Sequence, residues 1–210
     1  MRIDQVVSFA VLSLSVSACA KSDNSSHTDT TAVVTNIGRP QVDTTTASTA
    51  PMTLNLSSSA FAPNGSIPTK YTCEGAGVSP PLAWSGAPAS TKSFALIVED
   101  PDAPDPAKPT RVVSHWVAYN IPATTTALAE NASKTGMPAG SAQGVNEGNK
   151  PFYMGPCPPI GSHRYFFKLY ALDTVLTVLK SPKKAYVQQA LQKHVVDSTQ
   201  LIGTYQKTKK

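Results

Sequence analysis

The chain has 210 residues, of which 15% are charged and 7% aromatic, with 18 Pro, 12 Gly and 3 Cys. That length suits one domain with a full core plus tails, and so much Pro and Gly with so little charge favours β structure with long connections. The formal charge of +5 gathers only at Lys207, Lys209 and Lys210, a solvated basic end, which argues against nucleic acid as a partner.

Residues 1–19 read as a targeting segment. An apolar run from Val6 to Val16 follows Arg2, is too short for a permanent span, and ends in Val16-Ser-Ala-Cys19. Small residues before a Cys resemble the lipobox of lipoproteins, with Cys19 as the lipidated residue. The alternative is an ordinary secretory signal cleaved near Ala18 or Ala20. Either way export is expected, to the cell envelope if lipid-anchored and otherwise to the periplasm or medium. In a cell with two membranes, Ala20 after the Cys favours the outer membrane. Residues 20–51 are Ser, Thr, Asp, Asn and Ala with few large apolar side chains, and read as a disordered tether. About 30 such residues reach on the order of 30 Å.

The folded domain is expected over 52–205, followed by the basic tail 206–210. Met52–Ser57 alternates as a strand, and a loop from Tyr71 leads into a short strand ending at Trp84. Phe94–Val98 is an apolar run short enough for a buried strand. It is expected to stop at Asp100-Pro-Asp-Ala-Pro104, where proline removes a backbone donor. Arg111–Ile121 is the next strand. Simple alternation puts Val113, His115, Val117 and Tyr119 on one face. Residues 122–154 read as a long glycine-dotted connection.

Gly155-Pro-Cys-Pro-Pro-Ile-Gly161 then forms a stiff loop. It enters a strand whose His163, Tyr165, Phe167 and Leu169 share a face. That arrangement suits either a proline-rich turn into a core strand or the wall of a polar pocket. Ser181 as cap, Pro182 at the first position and a stripe through Val187, Leu191, His194, Val195 and Ser198 predict a C-terminal helix. The domain is therefore read as mostly antiparallel β with one late helix.

Asp100, Asp102, His115, His163 and Tyr165 fall at or near strand ends and form a site only if the strands converge. In order, Asp100-Pro-Asp-Ala-Pro104, His115-Trp-Val-Ala-Tyr-Asn120 and Gly155-Pro…Pro159…Gly161-Ser-His-Arg-Tyr165 resemble the phosphatidylethanolamine-binding protein family. The likeness is to its bacterial Raf-kinase-inhibitor-like branch. Tyr71-Thr-Cys-Glu-Gly75, Ser79-Pro-Pro-Leu-Ala-Trp84, Tyr170-Ala-Leu-Asp173 and Gly203-Thr-Tyr205 are similar to that branch as well.

The resemblance implies a compact domain around a central antiparallel sheet, a second smaller sheet, and an anion pocket that takes phosphate-type groups. Carried over residue by residue, the ligand-binding set is Asp100, Asp102, His115, Gly155, Pro159, His163 and Tyr165. In it, the two His and Tyr165 donate to phosphate oxygens, and the Asp residues hold a His tautomer or meet a ligand ammonium. Arg164, on the opposite face, is expected to pair structurally. Met154 stands where the family often has Gly.

Cys73 and Cys157 are a candidate disulfide. An oxidising compartment favours pairing, while the branch carries both cysteines whether or not a member is exported. The implied partners are a phosphate-bearing small molecule or phospholipid headgroup, the membrane through the N-terminal lipid, and a protein partner such as a protease or another envelope protein. Neither a cofactor nor a metal is called for. The competing reading is a metal-dependent or acid–base hydrolase built on the same His and Asp cluster, although no His-x-x-x-His or Gly-x-Ser-x-Gly spacing occurs.

Overall fold

The computed structural model describes residues 53–177 and 180–208. The signal segment, Cys19 and the tether read from the sequence lie outside them. In chain order the elements are β1 (Asn55–Ser57), a 3-10 turn (Thr69–Tyr71), β2 (Leu82–Ser85), β3 (Ser93–Ala103), β4 (Arg111–Pro122) and β5 (Ala127–Leu128). They continue with α1 (Ala132–Thr135), β6 (Ala142–Gly144), β7 (Ser162–Leu172), α2 (Lys184–Leu191) and β8 (Val195–Gln206). Five strands make an antiparallel sheet in the order β6-β4-β3-β7-β8, and β1-β2-β5 make a smaller one.

The middle of the central sheet, β3 and most of β4, is buried on both faces, which is why β3 reads as an unbroken apolar run rather than an alternating one. One face packs Phe94, Leu96, Val98, Trp116, Phe167 and Leu169 against Leu56, Leu82, Trp84 and Leu128 of the small sheet. The other sets Ala95, Ile97, Val117 and Tyr119 against Val187 and Leu191 of α2. Glu99 of β3 ties that second layer down: its carboxylate bonds Lys168 of β7 and, at 2.8 Å, Lys184 at the start of α2. Burial alone would raise the Glu99 pKa, but the two ammonium groups outweigh it and the net shift is downward.

Several expectations need correction. Strand β3 does not stop at Asp100 but runs on to Ala103, with a register shift between Asp100↔Val113 and Ala103↔Arg111. Pro101 sits in that irregularity, where a missing N–H breaks no ladder bond. The predicted helix ends at Leu191. Lys183, not Ser181, is its N-cap and makes no side-chain cap.

Val195 and Ser198 belong instead to β8, whose β-branched residues Val195, Val196, Thr199, Ile202 and Thr204 favour a strand. His194 precedes that strand and bonds Asp173 Oδ1 at 2.9 Å. The connection 122–154 holds β5, α1 and β6.

Candidate ligand-binding cleft

At one end of the central sheet, β3, β4 and the 155–161 loop enclose a cleft of about 430 Å³. Asp100, His115, Gly155, Pro159 and His163 line it, so five of the seven expected residues come together. Asp102 and Tyr165 are not on its surface.

His115 reaches the cleft through a bulge. Val98 pairs with Trp116 and Glu99 with Ser114, leaving His115 unpaired between them. Simple alternation would put His115 with Val117 and Tyr119, whose side chains pack towards α2. The bulge reverses the phase, so His115 lies instead with Val113 on the cleft. Its Nδ1 lies 2.7 Å from the Met154 carbonyl and donates to it. Burial holds the ring below the usual histidine pKa, against the opposing pull of that bond and of Asp100. Neutral His115 therefore presents Nε2, which has no partner among the described residues, as an acceptor.

His163 behaves differently. Nδ1 lies 2.7 Å from Asp100 Oδ2 and Nε2 lies 3.0 Å from the Ile160 carbonyl. Both ring nitrogens are engaged inside the protein, so neither is open to a ligand. Through these two contacts His163 anchors the proline-rich loop to β3. The other Asp100 oxygen accepts from the Asp102 N–H at 2.8 Å.

Asp102 is also occupied. Where Pro101 interrupts β3, the Asp102 carboxylate takes the Arg164 backbone N–H at 2.9 Å and grips the guanidinium at 2.9 and 2.7 Å. Those bonds hold its carboxyl below the usual range despite burial. Tyr165 lies beneath the cleft between the two histidines, edge-on to His115 at 5.2 Å and stacked on His163 at 6.5 Å. Its hydroxyl is buried beside Asp100 without a hydrogen bond of ordinary geometry, and burial followed by the Asp100 charge pushes its pKa up.

Gly155 is needed for close approach: a Cβ there would lie 2.9 Å from the Tyr71 carbonyl oxygen and 3.0 Å from Thr72 Cα. The neighbouring Cys157 is joined to Cys73 by a disulfide, Cα atoms 5.4 Å apart, and both cysteines line the cleft.

Sequence reasoning missed Arg111, Val113 and Glu147 on the wall, where Met154, singled out from the resemblance, also stands. Arg111 was within reach, because the period-2 face that holds Val113 and His115 extends back to it. Its guanidinium has no ion-pair or hydrogen-bond partner among the described residues. Glu147 lies in a loop, where no periodicity points to a site. Among the described residues no three His, Cys, Asp or Glu side chains are grouped to hold a metal ion.

Comparison with known proteins gives these features a context. Residues 57–206 match the family model described as phosphatidylethanolamine-binding protein. A UPF0098 protein of the archaeon Methanothermobacter thermautotrophicus is 48% identical over 155 residues, covering 73% of this chain and 99% of the relative. A second, from Chlamydia pneumoniae, is 44% identical over 155 residues, covering 74% and 100%. The archaeal relative widens the expected bacterial grouping.

Among solved structures, a putative phosphatidylethanolamine-binding protein homologue from Chlamydia trachomatis superposes with a TM-score of 0.67 at 39% identity. It covers 74% of this chain and 99% of its own. YbcL of E. coli, described as a new member of the mammalian PEBP family, gives 0.68 at 34% identity with the same coverage. The chain belongs to the phosphatidylethanolamine-binding protein family.

Proposed function

We propose that the cleft binds a small phosphate-type group, as a phosphoethanolamine-like headgroup or on a phosphorylated partner, and that the protein acts as a binding module rather than an enzyme. The observation that carries this reading is Arg111, whose guanidinium shares a wall with Nε2 of His115, both without a partner among the described residues. A guanidinium recognises phosphate oxygens with two parallel donors. A protonated His115, or the hydroxyl of a phosphate monoanion, would complete the contact at Nε2. The exposed Glu147 carboxylate on the same cleft can meet an ammonium, so both signs of a zwitterionic headgroup are provided for. Asp100 and His163 hold the wall in place, which argues against either as an acid–base catalyst.

Calorimetric titration of the full chain with phosphoethanolamine tests this. Arg111→Gln is expected to weaken binding by about 10-fold or more, the worth of one hydrogen bond to a charged group. Equal affinity in the variant and the native chain would overturn the proposal.

The same proposal places the protein in the cell envelope, lipid-anchored through Cys19, with the tether holding the cleft clear of headgroups, where it could modulate a protein partner such as a protease. The Val16-Ser-Ala-Cys19 run supports the anchor. Metabolic labelling with a radioactive fatty acid should mark the native chain and not Cys19→Ala. Unlabelled native chain would refute the lipid anchor and leave the secreted form.

A further inference from the structure

The open nitrogen of His115 is an acceptor, and that decides which phosphate the cleft can take. Two bonds fix the ring. The Met154 N–H donates to the His115 carbonyl at 2.8 Å, and Nδ1 of His115 donates back to the Met154 carbonyl at 2.7 Å. A carbonyl only accepts, so the proton of the neutral ring is on Nδ1 and Nε2 is bare. Tyr165 packs edge-on against the same ring at 5.2 Å. Turning the ring over would break the Nδ1 bond.

A dianionic phosphate oxygen set against bare Nε2 brings two acceptors together with no proton between them. Either the ring or the ligand must supply one. The ring is a poor source. His115 is only 3% exposed, and burial, the largest influence on it, disfavours the charged form.

The titratable and charged groups around the ring are Asp100 of β3, His163 and Tyr165 of β7, Glu147 after β6, and Arg111 on its own strand. The Met154 bond, Asp100 and Glu147 favour charge on the ring and His163 opposes it, yet the balance stays downward. The ligand is the better source. A phosphate monoester has its second pKa at about 6 and readily carries a hydroxyl near neutral pH. A diester or a sulfate ester carries none.

We propose that the cleft selects phosphate monoesters, bound as the monoanion whose hydroxyl donates to Nε2 of His115. A diester or a sulfate ester offers no such donor and is turned away. The inference rests on the cleft being the phosphate site, and it separates two sources of that group. Free phosphoethanolamine, a monoester, is accepted; the headgroup of an intact phospholipid, a diester, is not.

The test is calorimetric titration of the full chain with three ligands that share an aminoethyl group. They are phosphoethanolamine, the diester glycerophosphoethanolamine, and 2-aminoethyl sulfate. At pH 6 the monoester should bind at least about 10-fold more tightly than the other two, the worth of one hydrogen bond to a charged group. Between pH 7 and pH 8.5 its affinity should fall by about 10-fold per unit, because ring and ligand are then both deprotonated and one proton must be taken up. Heats measured in buffers of different ionisation enthalpy should show that uptake.

Equal affinity for the diester or the sulfate ester, or a monoester affinity flat from pH 7 to pH 8.5, would overturn the inference and leave the phosphate reading of the cleft standing. Failure of all three ligands to bind would overturn both. His115→Gln should flatten the pH dependence, and a slope kept in full would overturn the contact. The tautomer is checked without any ligand, by NMR of the native chain carrying isotope-labelled histidine. Bare Nε2 is expected at pH 7.5, and a proton on it would overturn the inference.

Discussion

His163 Nδ1 lies 2.7 Å from Asp100 Oδ2, and both side chains are almost entirely withdrawn from solvent. With Ile160 accepting at the other nitrogen, the pair ties the proline-rich loop to β3 and fixes one wall of the cleft. It is a strut for the cleft wall, and His115 is the histidine whose Nε2 is left open on the cleft.

Asp100→Ala should therefore be costly. Removing one partner of a buried pair costs about 3–5 kcal/mol. For a chain of this size each kcal/mol moves Tm by roughly 2–4 °C, so thermal unfolding should show a fall of about 10 °C. A change under about 2 °C would contradict the strut.

Asp102 and Arg164 make an acid-sensitive join. The folded-state pKa of Asp102 lies below its unfolded value because of the Arg164 bonds. Its contribution is thus complete above about pH 4 and is lost as pH falls through the folded value. Arg164→Ala should remove about 1.5–3 kcal/mol at pH 7, the range for hydrogen bonds to a charged group. The gap to the native chain should close in acid. Urea unfolding at pH 7 and pH 3 checks this, and a gap of the same size at both would contradict it.

Much of this architecture is legible in the sequence because period-2 patterning and apolar runs report burial. The inward face of β7, from His163 to Leu169, is an example. What patterning cannot report is a change of phase. A single unpaired residue at His115 reverses the faces of β4, and nothing local marks it. The stripe through Val195 and Ser198 mimics helical spacing, yet the partner strand β7 decides the outcome over 11 paired residues. Which site residues are spent internally is likewise invisible, since the Ile160 carbonyl and Arg164 claim His163 and Asp102 only in three dimensions.

His115 should impose a pH dependence of its own. Burial holds its folded-state pKa below the ordinary 6.5, so the native state binds fewer protons than the unfolded chain. Its contribution is complete above about pH 6.5 and declines as pH falls towards the folded value. The stability difference between the native chain and His115→Gln, measured by urea unfolding from pH 8 to pH 5, should shift against the native chain on acidification. A difference constant across that range would contradict it.

The disulfide closes an 84-residue separation. In the chain-entropy model that stabilises by about 4–5 kcal/mol. Cys73→Ser with Cys157→Ser should lower Tm by roughly 10 °C or more. Since both cysteines line the cleft, the double variant should also bind phosphoethanolamine more weakly. Unchanged Tm and affinity together would contradict a structural role.

The most direct test of the cleft is an NMR titration of the full chain with phosphoethanolamine, following the His115 and His163 rings and the Arg111 side chain. The account predicts saturable shifts at His115 and Arg111, with His163 much less affected because both its nitrogens are held by protein. No saturable response at His115 and Arg111 would contradict it.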